Sequence, residues 1–371
     1  MNTRAAAWAY LSRVAQGPCA PLVELVRAVG PEEAARAVRG AELPEVLRAR
    51  TQARRHLDTA ERDLALVERL GGRLLTPDDE DWPEWKLLAF DGVEPRADRE
   101  SAPPLALWVL GCGLVAELTE RAVAVVGTRA ASGYGEHATS QFVDDLAGEC
   151  WTVVSGAAYG IDGAAHRAAL AAGTPTVAVL ACGVDRAYPA GHGRLLREIA
   201  KEGLVVSEYA PGTPPARHRF LARNRLVAAL ADAVLVVEAG ARSGARNTAA
   251  WAARLGRPVL AVPGPVTSAA SVGCHRMIRD GEARLAARAA DVTEAAGPVG
   301  VGEPESGPAR RLDGLSSRAA QVYEAFPASG SVGVRELSEG SGLPLNSVRG
   351  ALPVLEMSGL VDSDETGWFR R

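Results

Sequence analysis

The chain has 371 residues and a formal net charge of −4, with 47% hydrophobic and 23% charged residues. This composition is typical of globular protein and excludes a wholly disordered chain, and at about 100–200 residues per domain the length suggests two to three domains. No run of about 18 apolar residues occurs, and residues 1–20 lack the apolar core of a secretory signal. We therefore expect a cytoplasmic protein without a membrane segment.

Several chemical motifs do not occur in the sequence. The five cysteines are scattered without a CxxC pair, which disfavours a zinc ribbon or a thioredoxin-like site and indicates reduced thiols. The only lysines are Lys86 and Lys201, and neither precedes Ser or Thr, so a Walker A phosphate loop is excluded. HExxH and GxSxG are also absent. These absences exclude a P-loop ATPase and disfavour a zincin or an α/β-hydrolase. We expect a non-enzyme, with no catalytic residues, metal or cofactor.

Charge is unevenly distributed along the chain. Residues 1–75 hold 12 basic against 9 acidic side chains, and residues 76–120 hold 3 against 11. Residues 121–292 hold 19 against 14, and residues 293–371 hold 7 against 11. The block 121–292 is therefore the part best suited to meet a polyanion, the alternative being a solvated surface without a partner.

The apolar pattern divides the chain into four parts. Residues 1–72 show near-helical apolar spacing and predict a small helical domain of the SAM or helix-hairpin-helix kind. Residues 73–296 alternate continuous apolar runs with helical stretches, which is typical of an α/β fold with a Rossmann-like, mainly parallel sheet. Residues 297–312 are rich in Gly, Pro and Glu and predict a linker before a last unit, 313–371. The predicted core strands are Ala122–Val126, Thr152–Ser155, Thr176–Leu180, Leu204–Ser207, Ala233–Val237 and Pro258–Val262.

A glycine-rich loop follows the first core strand and leads into a predicted helix. Such a loop presents backbone N–H groups at the positive end of the helix dipole, where an anion can bind. Gly127 and Thr128 open the loop, and the planar guanidinium of Arg129 could hold a phosphate. The loop lacks the GxGxxG spacing, which disfavours a dinucleotide site. The alternative is a tight turn with a solvent-facing arginine.

A second cluster, residues 155–166, also joins a strand to a helix through glycine. Ser155 and Gly156 end the strand, and Asp162 is placed to cap the helix or to orient a neighbour. His166 lies in an alanine-rich helix, and Asp162 is its only metal-type neighbour. A packed or surface histidine is therefore favoured over a metal ligand.

The third cluster, residues 217–225, concentrates arginines around one aromatic residue. Basic side chains that follow a nucleic-acid backbone, next to an aromatic face for a base, match the chemistry of single-strand binding. The alternative is an ordinary charged helix. The candidate residues are Arg217, Arg219, Phe220, Arg223, Asn224 and Arg225.

The fourth cluster follows the strand at 233–237. Before the next helix it contributes Ser243, Gly244, Asn247 and Thr248. Strand ends of an open α/β sheet converge at one edge, and three of the four clusters directly follow core strands. We therefore expect all four clusters to lie near the same edge of the sheet.

Taken in order, these blocks resemble the DNA-processing protein A family, also called DprA or Smf. The matching stretches are AVVGTRAASGYG at 124–135, SGAAYGIDGAAH at 155–166, ACGVDRAYP at 181–189, SEYAPGTPP at 207–215, FLARNRL at 220–226, VVEAGARSGARNTA at 236–249 and VPGPVTSAASVGCHRMIRDGE at 262–282. Two upstream stretches, LLTPDDEDWPEWKL at 74–87 and PPLALWVLG at 103–111, also fit. The likeness is close over about residues 73–290 and looser elsewhere.

The resemblance implies a Rossmann-like protein that binds and protects single-stranded DNA, forms homodimers and helps load the RecA recombinase during transformation and recombination. By motif match, Arg129 is similar to the family's DNA-contacting arginine. Phe220, with Arg217 and Arg219 before it, lies where the family has aromatic and basic DNA contacts, and arginine stands where the family often has lysine. The chain departs from the family pattern at His275, at Glu282 and at 245–247.

The last unit has a pattern of its own. A helix after Ser316–Ser317, two helices at 334–340 and 345–358, and strands at 360–361 and 368–369 resemble a winged helix. The helix at 345–358 holds Arg349 as its only cation, and Pro353 is expected to kink it. Residues 313–371 hold 5 Arg against 8 acids, so a protein contact or weak nucleic-acid role is favoured over strong duplex binding.

Two other functions are considered. The first is a nucleotide-cleaving enzyme similar to the cytokinin-activating phosphoribohydrolases, but their GGxGTxxE signature is absent and Glu238 precedes the loop. Release of free base from nucleoside monophosphates would identify such an enzyme. The second is a duplex-binding regulator that uses the winged helix, which a footprint on duplex DNA without single-strand preference would identify.

Overall fold

The structure is a computed structural model that describes residues 3–93, 101–297, 315–364 and 366–371. The chain divides into two compact units, Met1–Gly302 and Glu303–Arg371. The predicted linker at 297–312 lies outside the described residues, apart from Gly297.

Five helices open the first unit. They are α1 (Thr3–Ala15), α2 (Ala20–Val29), α3 (Pro31–Gly40), α4 (Glu45–Thr51) and α5 (Ala60–Arg69). Their buried faces form one core with residues of the following region, including Trp108 and Ala210. The indole N–H of the fully buried Trp108 donates to the Ser12 hydroxyl at 3.0 Å, which satisfies its polar atom. These helices therefore pack against the sheet region within one compact unit, and their SAM or helix-hairpin-helix kinship stays a prediction.

A nine-stranded sheet forms the centre of the first unit. Its strands are β1 (Gly72–Leu75), β2 (Leu107–Leu110), β3 (Ala122–Val126), β4 (Thr152–Ser155), β5 (Thr176–Leu180), β6 (Leu204–Ser207), β7 (Ala233–Val236), β8 (Val259–Ala261) and β9 (Arg284–Leu285). The order is β1-β2-β6-β5-β4-β3-β7-β8-β9. The seven strands from β6 to β9 pair in parallel, whereas β1 and β2 join antiparallel. The predicted Rossmann-like, mainly parallel α/β sheet is confirmed, and all six predicted strands are present.

Helices cover both faces of the sheet. They are α6 (Glu84–Leu87), α7 (Val115–Glu120), α8 (Gly133–Gly148), α9 (Ile161–Ala171), α10 (Gly193–Glu202), α11 (Arg217–Ala229), α12 (Ala245–Arg254), α13 (Val272–Arg279) and α14 (Ala289–Ala296), with 3₁₀ turns at Leu88–Gly92 and Ala190–His192. Val123 and Val125 of β3 join the core beneath α8, α9 and α14. Ala124 and Val126 alternate with them and join the core beneath α11 and α12. Burial on both faces explains why the parallel strands have continuous apolar sequences.

The second compact unit contains three helices and a hairpin. Its elements are α15 (Ser317–Glu324), α16 (Val334–Ser341), α17 (Leu345–Met357), β10 (Val361–Asp364) and β11 (Gly367–Arg370). The Ser316 hydroxyl caps α15 by accepting from the Ala319 amide at 3.3 Å, and α17 continues helical through Pro353. Val322, Leu337 and Leu355 form the centre of its core. The predicted order of elements is present, and the assignment as a winged helix stays a prediction.

The described residues contain neither a membrane-spanning helix nor a group of potential metal ligands. None of the helices in ranges 3–93, 101–297, 315–364 and 366–371 is long and apolar enough to cross a bilayer. The same residues contain no group of three or more His, Cys, Asp or Glu side chains that could hold a metal ion.

Candidate nucleic-acid interface

The carboxyl ends of β3, β4 and β7 open onto a groove of about 350 Å³, here named the strand-end groove. The helices α11 and α12 begin along its wall. Its lining includes Gly127, Arg129, Gly156, Asp162, Phe220, Leu221, Arg223, Asn224, Arg242, Ser243, Gly244 and Thr248. Each of the four loop clusters contributes to this wall, so the prediction that they meet at one edge of the sheet is confirmed.

The loop after β3 is held tightly against its neighbours. The Thr128 amide donates to the Glu238 carbonyl at 2.7 Å, and the Thr128 carbonyl accepts from the Ile161 amide at 3.1 Å. A Cβ at Gly127 would lie 2.5 Å from the Ile161 side chain and 2.8 Å from the Glu238 carbonyl, so only glycine fits there. The backbone directly before Arg129 is therefore held by Glu238 and Ile161.

The N-terminus of α8 already holds an anion, which belongs to the protein. The carboxylate of the buried Glu238 accepts from the Ser132 amide at 2.9 Å and from the Ser132 hydroxyl at 2.6 Å. The Ser132 hydroxyl in turn accepts from the Gly135 amide at 3.1 Å. The expectation that this helix end binds an external anion is therefore corrected, because Glu238 takes up these donors. Arg129 remains the cationic side chain of this loop that can contact a phosphate.

Arg129 lies over an aromatic cluster beside the strand-end groove. Its guanidinium carbon is 5.2 Å from the centroid of the Phe220 ring, within cation–π range. Tyr188 also packs on Phe220, with the two ring centroids 5.2 Å apart. Arg129, Tyr159 and Tyr188 are exposed, and Phe220 is partly exposed. These four side chains, here named the arginine–aromatic cluster, offer both a cation and stacking faces.

Tyr159 and Tyr188 were not singled out by the sequence patterns. The two residues lie in the loops that follow β4 and β5, within SGAAYG and DRAYP. With Arg129 and Phe220 they line a notch of about 60 Å³ beside the strand-end groove. An aromatic residue directly after a core strand, at the same sheet edge as the arginine clusters, is the signal that could have identified them.

The two arginines at the start of α11 differ in how free they are to contact a ligand. Arg217 is exposed in the first turn. Arg219 is partly exposed and donates to the Pro214 carbonyl and, at 3.1 Å, to the Gln16 side chain. Arg217 is therefore the freer of the two predicted phosphate contacts.

Arg225 lies away from the strand-end groove. Its side chain is fully buried, donates to the Glu208 carboxylate at 2.5 Å and stacks 5.4 Å from the Phe90 ring centroid. Burial raises the pKa of Glu208, which the positive charge of Arg225 opposes. The prediction that Arg225 contacts DNA is corrected, because its position on the helix points the side chain into the protein.

Arg223 lines the strand-end groove but is almost fully buried. Its guanidinium donates to the Val179 carbonyl at 2.6 Å. Gly156 makes room for it, since a Cβ there would lie 2.6 Å from the guanidinium carbon. Arg223 therefore positions the end of β5, and its charge reaches the floor of the groove.

The remaining candidates differ in their access to a ligand. Ser155 is fully buried and donates to the Val125 carbonyl at 2.6 Å, so the prediction that it contacts DNA is corrected. Asn224 donates to the Asn247 side-chain oxygen at 3.1 Å, joining α11 to α12. Ser243 and Gly244 line the groove at the start of α12, and Thr248 contributes a nearly buried side chain.

The charges that line the strand-end groove are mostly positive. Arg129, Arg223 and Arg242 face a single carboxylate, Asp162. Burial raises the pKa of Asp162, while Arg223, the Ala158 amide and Arg129 act in the opposite direction. The groove therefore favours a negatively charged ligand.

His166 has a structural role. It is fully buried, and its Nδ1 is 2.7 Å from the Thr176 hydroxyl, which itself donates to the Val153 carbonyl at 2.8 Å. The hydroxyl proton is thus already used, so Nδ1 carries the donated hydrogen. Burial lowers the pKa of His166 to about 3. The expectation of a packed histidine is confirmed.

The chain is similar to known proteins in both sequence and fold. A family profile described as DNA recombination-mediator protein A matches residues 73–297. A Mycobacterium tuberculosis relative that carries the DprA name is 54% identical over 369 residues, covering 99% of this chain and 95% of that protein. The DNA processing protein DprA of Streptococcus pneumoniae is 44% identical over 170 residues, covering 46% of this chain and 60% of its own.

The X-ray structure of the Streptococcus pneumoniae protein has the same fold as this chain. It superposes with a TM-score of 0.63 and 31% identity, covering 79% of this chain and 97% of that one. The family profile spans the nine-stranded sheet and the strand-end groove. The chain therefore belongs to the DNA recombination-mediator protein A family.

Proposed function

We propose that the protein binds single-stranded DNA along the strand-end groove. The observation that supports this most is the arginine–aromatic cluster, in which Arg129 lies 5.2 Å from the Phe220 ring and Tyr188 packs on the same ring. Family membership and the name of the pneumococcal relative, a DNA processing protein, agree with a role in DNA handling.

The chemistry of the groove suits a single strand better than a duplex. Arg129, Arg217 and Arg242 are exposed cations that can pair with phosphates. The rings of Phe220 and Tyr188 can stack on bases. The faces of the bases are accessible only where the bases are unpaired. Stacking tolerates every base, so little sequence preference is expected.

Three further roles are proposed from the family resemblance. The protein protects incoming single-stranded DNA, helps load the RecA recombinase in transformation and recombination, and acts as a homodimer. RecA loading is tested by following RecA filament formation on a single strand coated with a single-strand-binding protein, with and without this protein. Sedimentation at several concentrations tests the dimer.

We propose binding without catalysis for this groove. Glu238, the carboxylate that precedes the loop after β7, is buried and accepts hydrogen bonds from Ser132. It therefore holds the loop in place and is not presented to a ligand. Incubation with nucleoside monophosphates should release no free base, and release that depends on Glu238 would contradict this assignment.

Competition binding tests the main proposal. A labelled dT oligonucleotide is bound to the full chain and displaced with unlabelled dT or with a duplex of equal length. We expect dT to compete far better than the duplex, and affinity to fall with salt at a slope of about −0.7 per phosphate contacted. Equal competition by the duplex, or affinity independent of salt, would contradict the proposal.

A further inference from the structure

A second groove, of about 780 Å³, lies at the opposite edge of the sheet and is here named the amino-edge groove. It lies where β3, β7 and β8 begin, since Glu120, Asp232 and Arg257 come just before these strands and line it. The strand-end groove opens at the other ends of β3 and β7. A ligand in one groove therefore leaves the other accessible.

One tryptophan that lines the amino-edge groove is largely exposed to solvent. Trp85 is 85% exposed, although the next two residues of α6, Lys86 and Leu87, are buried. The Lys86 ammonium pairs with the Asp232 carboxylate and donates to the Glu120 carbonyl at 3.3 Å. This pairing anchors the short helix, so the backbone that carries the Trp85 indole is held in place.

An exposed tryptophan at the rim of a groove has the character of a protein-binding anchor. Tryptophan is among the residues that contribute most to protein interfaces, and its ring face attracts arginine and lysine. A partner that covers the Trp85 indole would remove a large apolar area from water, and this burial would favour binding. The neighbouring Trp82 and Pro83 extend the apolar surface into the groove.

The charge of the amino-edge groove selects the partner. Glu84, Glu117 and Glu120 are exposed and form no ion pair with other residues in the described part of the chain. Lys86 and Asp232 neutralise each other, which leaves Arg257 as the remaining cation of the lining. The groove is therefore negative, repels nucleic acid and attracts a cationic protein segment.

We propose that the amino-edge groove docks a basic segment of a partner protein. An arginine or lysine of that segment stacks on Trp85 between the carboxylates of Glu117 and Glu120, and an adjacent apolar side chain enters the groove. Since the DNA groove lies at the other edge of the sheet, the partner binds while DNA is bound.

The test uses the full chain and a fluorescein-labelled peptide that repeats Leu-Arg-Arg, with Leu-Glu-Glu as the comparison peptide. Anisotropy should show saturable binding of the basic peptide and none of the acidic peptide. Trp85→Ala, and separately Glu117→Lys with Glu120→Lys, should each weaken binding about tenfold. Both variants should keep the dT affinity and the circular dichroism spectrum of the native chain.

A matched variant separates the groove from general attraction between opposite charges. Glu61→Lys with Glu68→Lys makes the same change of charge at exposed positions of α5 and should leave peptide affinity unchanged. Absence of peptide binding, native affinity in either groove variant, or an equal loss in the α5 variant would each overturn the proposal.

Discussion

At the scale of single residues, Arg129 presents its charge from a loop that hydrogen bonds hold in place. The loop is fixed by the hydrogen bonds of Thr128 to Glu238 and Ile161, while the guanidinium itself is exposed above Phe220. A pre-positioned charge loses little freedom on binding a phosphate. Its removal should therefore affect binding and leave the fold intact.

Arg129→Ala should weaken binding to a dT oligonucleotide by about 1–3 kcal/mol, the range for a charge-assisted hydrogen bond. The thermal unfolding midpoint should stay close to that of the native chain, because the side chain is exposed. Arg197→Ala, which removes another exposed arginine, from α10, serves as the control and should bind DNA normally. Native affinity in Arg129→Ala would show that the loop is only a turn.

The aromatic faces of the arginine–aromatic cluster make a second prediction. Phe220→Ala and Tyr188→Ala should each weaken dT binding by about 1–3 kcal/mol, as expected for one stacked base. Phe220→Tyr and Tyr188→Phe keep a ring and should retain most of the affinity. Fluorescence titration at fixed salt measures the four variants, and equal affinity of the alanine and ring-preserving variants would rule out stacking.

Arg225 has a structural role, unlike the arginines of the same helix that are proposed to bind DNA. Arg225→Ala leaves the buried Glu208 carboxylate without its partner and should reduce the free energy of unfolding by about 3–5 kcal/mol. Urea unfolding measures this loss. Glu208→Leu with Arg225→Met removes both charges and should recover most of the stability. A stable Arg225→Ala protein with weakened DNA binding would place this residue at the interface after all.

At the scale of elements, the core strands could be predicted because burial on both faces demands continuous apolar residues. All six predicted strands are found, and the two that differ, β7 and β8, are slightly shorter than predicted. The short strands β1, β2 and β9 were not predicted. β9 consists of Arg284 and Leu285 alone, which is too short for an apolar run or an alternating pattern. Its pairing with β8 depends on tertiary structure.

The sequence predicted the outline of the site, and the wrong predictions for single residues have a common physical cause. The loops that meet at the groove follow from strand order, because parallel strands end at one edge. Arg217 and Arg225 look equivalent in sequence, yet one is exposed and the other buried, since the face of α11 that packs is set by its neighbours. The contact of Glu238 with Ser132 joins residues far apart in sequence, so no local pattern shows it.

His166 of helix α9 is expected to make the stability of the protein depend on pH. The buried ring has a pKa of about 3 in the folded protein, against about 6.5 when unfolded, so the unfolded chain binds a proton that the folded chain does not. Stability from this group is therefore lost as pH falls below 6.5, by about 1.4 kcal/mol per pH unit.

His166→Asn keeps a donor but does not titrate, which isolates this effect. Between pH 7 and pH 5, the free energy of unfolding of the variant should fall by about 2 kcal/mol less than that of the native chain. Urea unfolding at the two pH values measures the difference. Parallel losses in both proteins would show that His166 does not contribute to the acid sensitivity.

At the scale of the whole molecule, the two compact units differ in charge and in their expected contribution to DNA binding. The four loop clusters all lie in the first compact unit, Met1–Gly302, and the basic excess lies at 121–292. The second unit carries more acids than bases. A negative unit repels a phosphate backbone at low salt and adds little at high salt, where charges are screened. The second unit is therefore expected to be dispensable for single-strand binding.

The central claim is that the strand-end groove of the first unit binds single-stranded DNA. The affinities of residues 1–302 and of the full chain for a dT oligonucleotide, at low and at moderate salt, test it most directly, with circular dichroism to verify folding. We expect the shortened protein to keep the full affinity, or to bind slightly more tightly at low salt. A large loss of affinity in a folded 1–302 protein would place the main DNA-binding surface in the second unit and contradict the account.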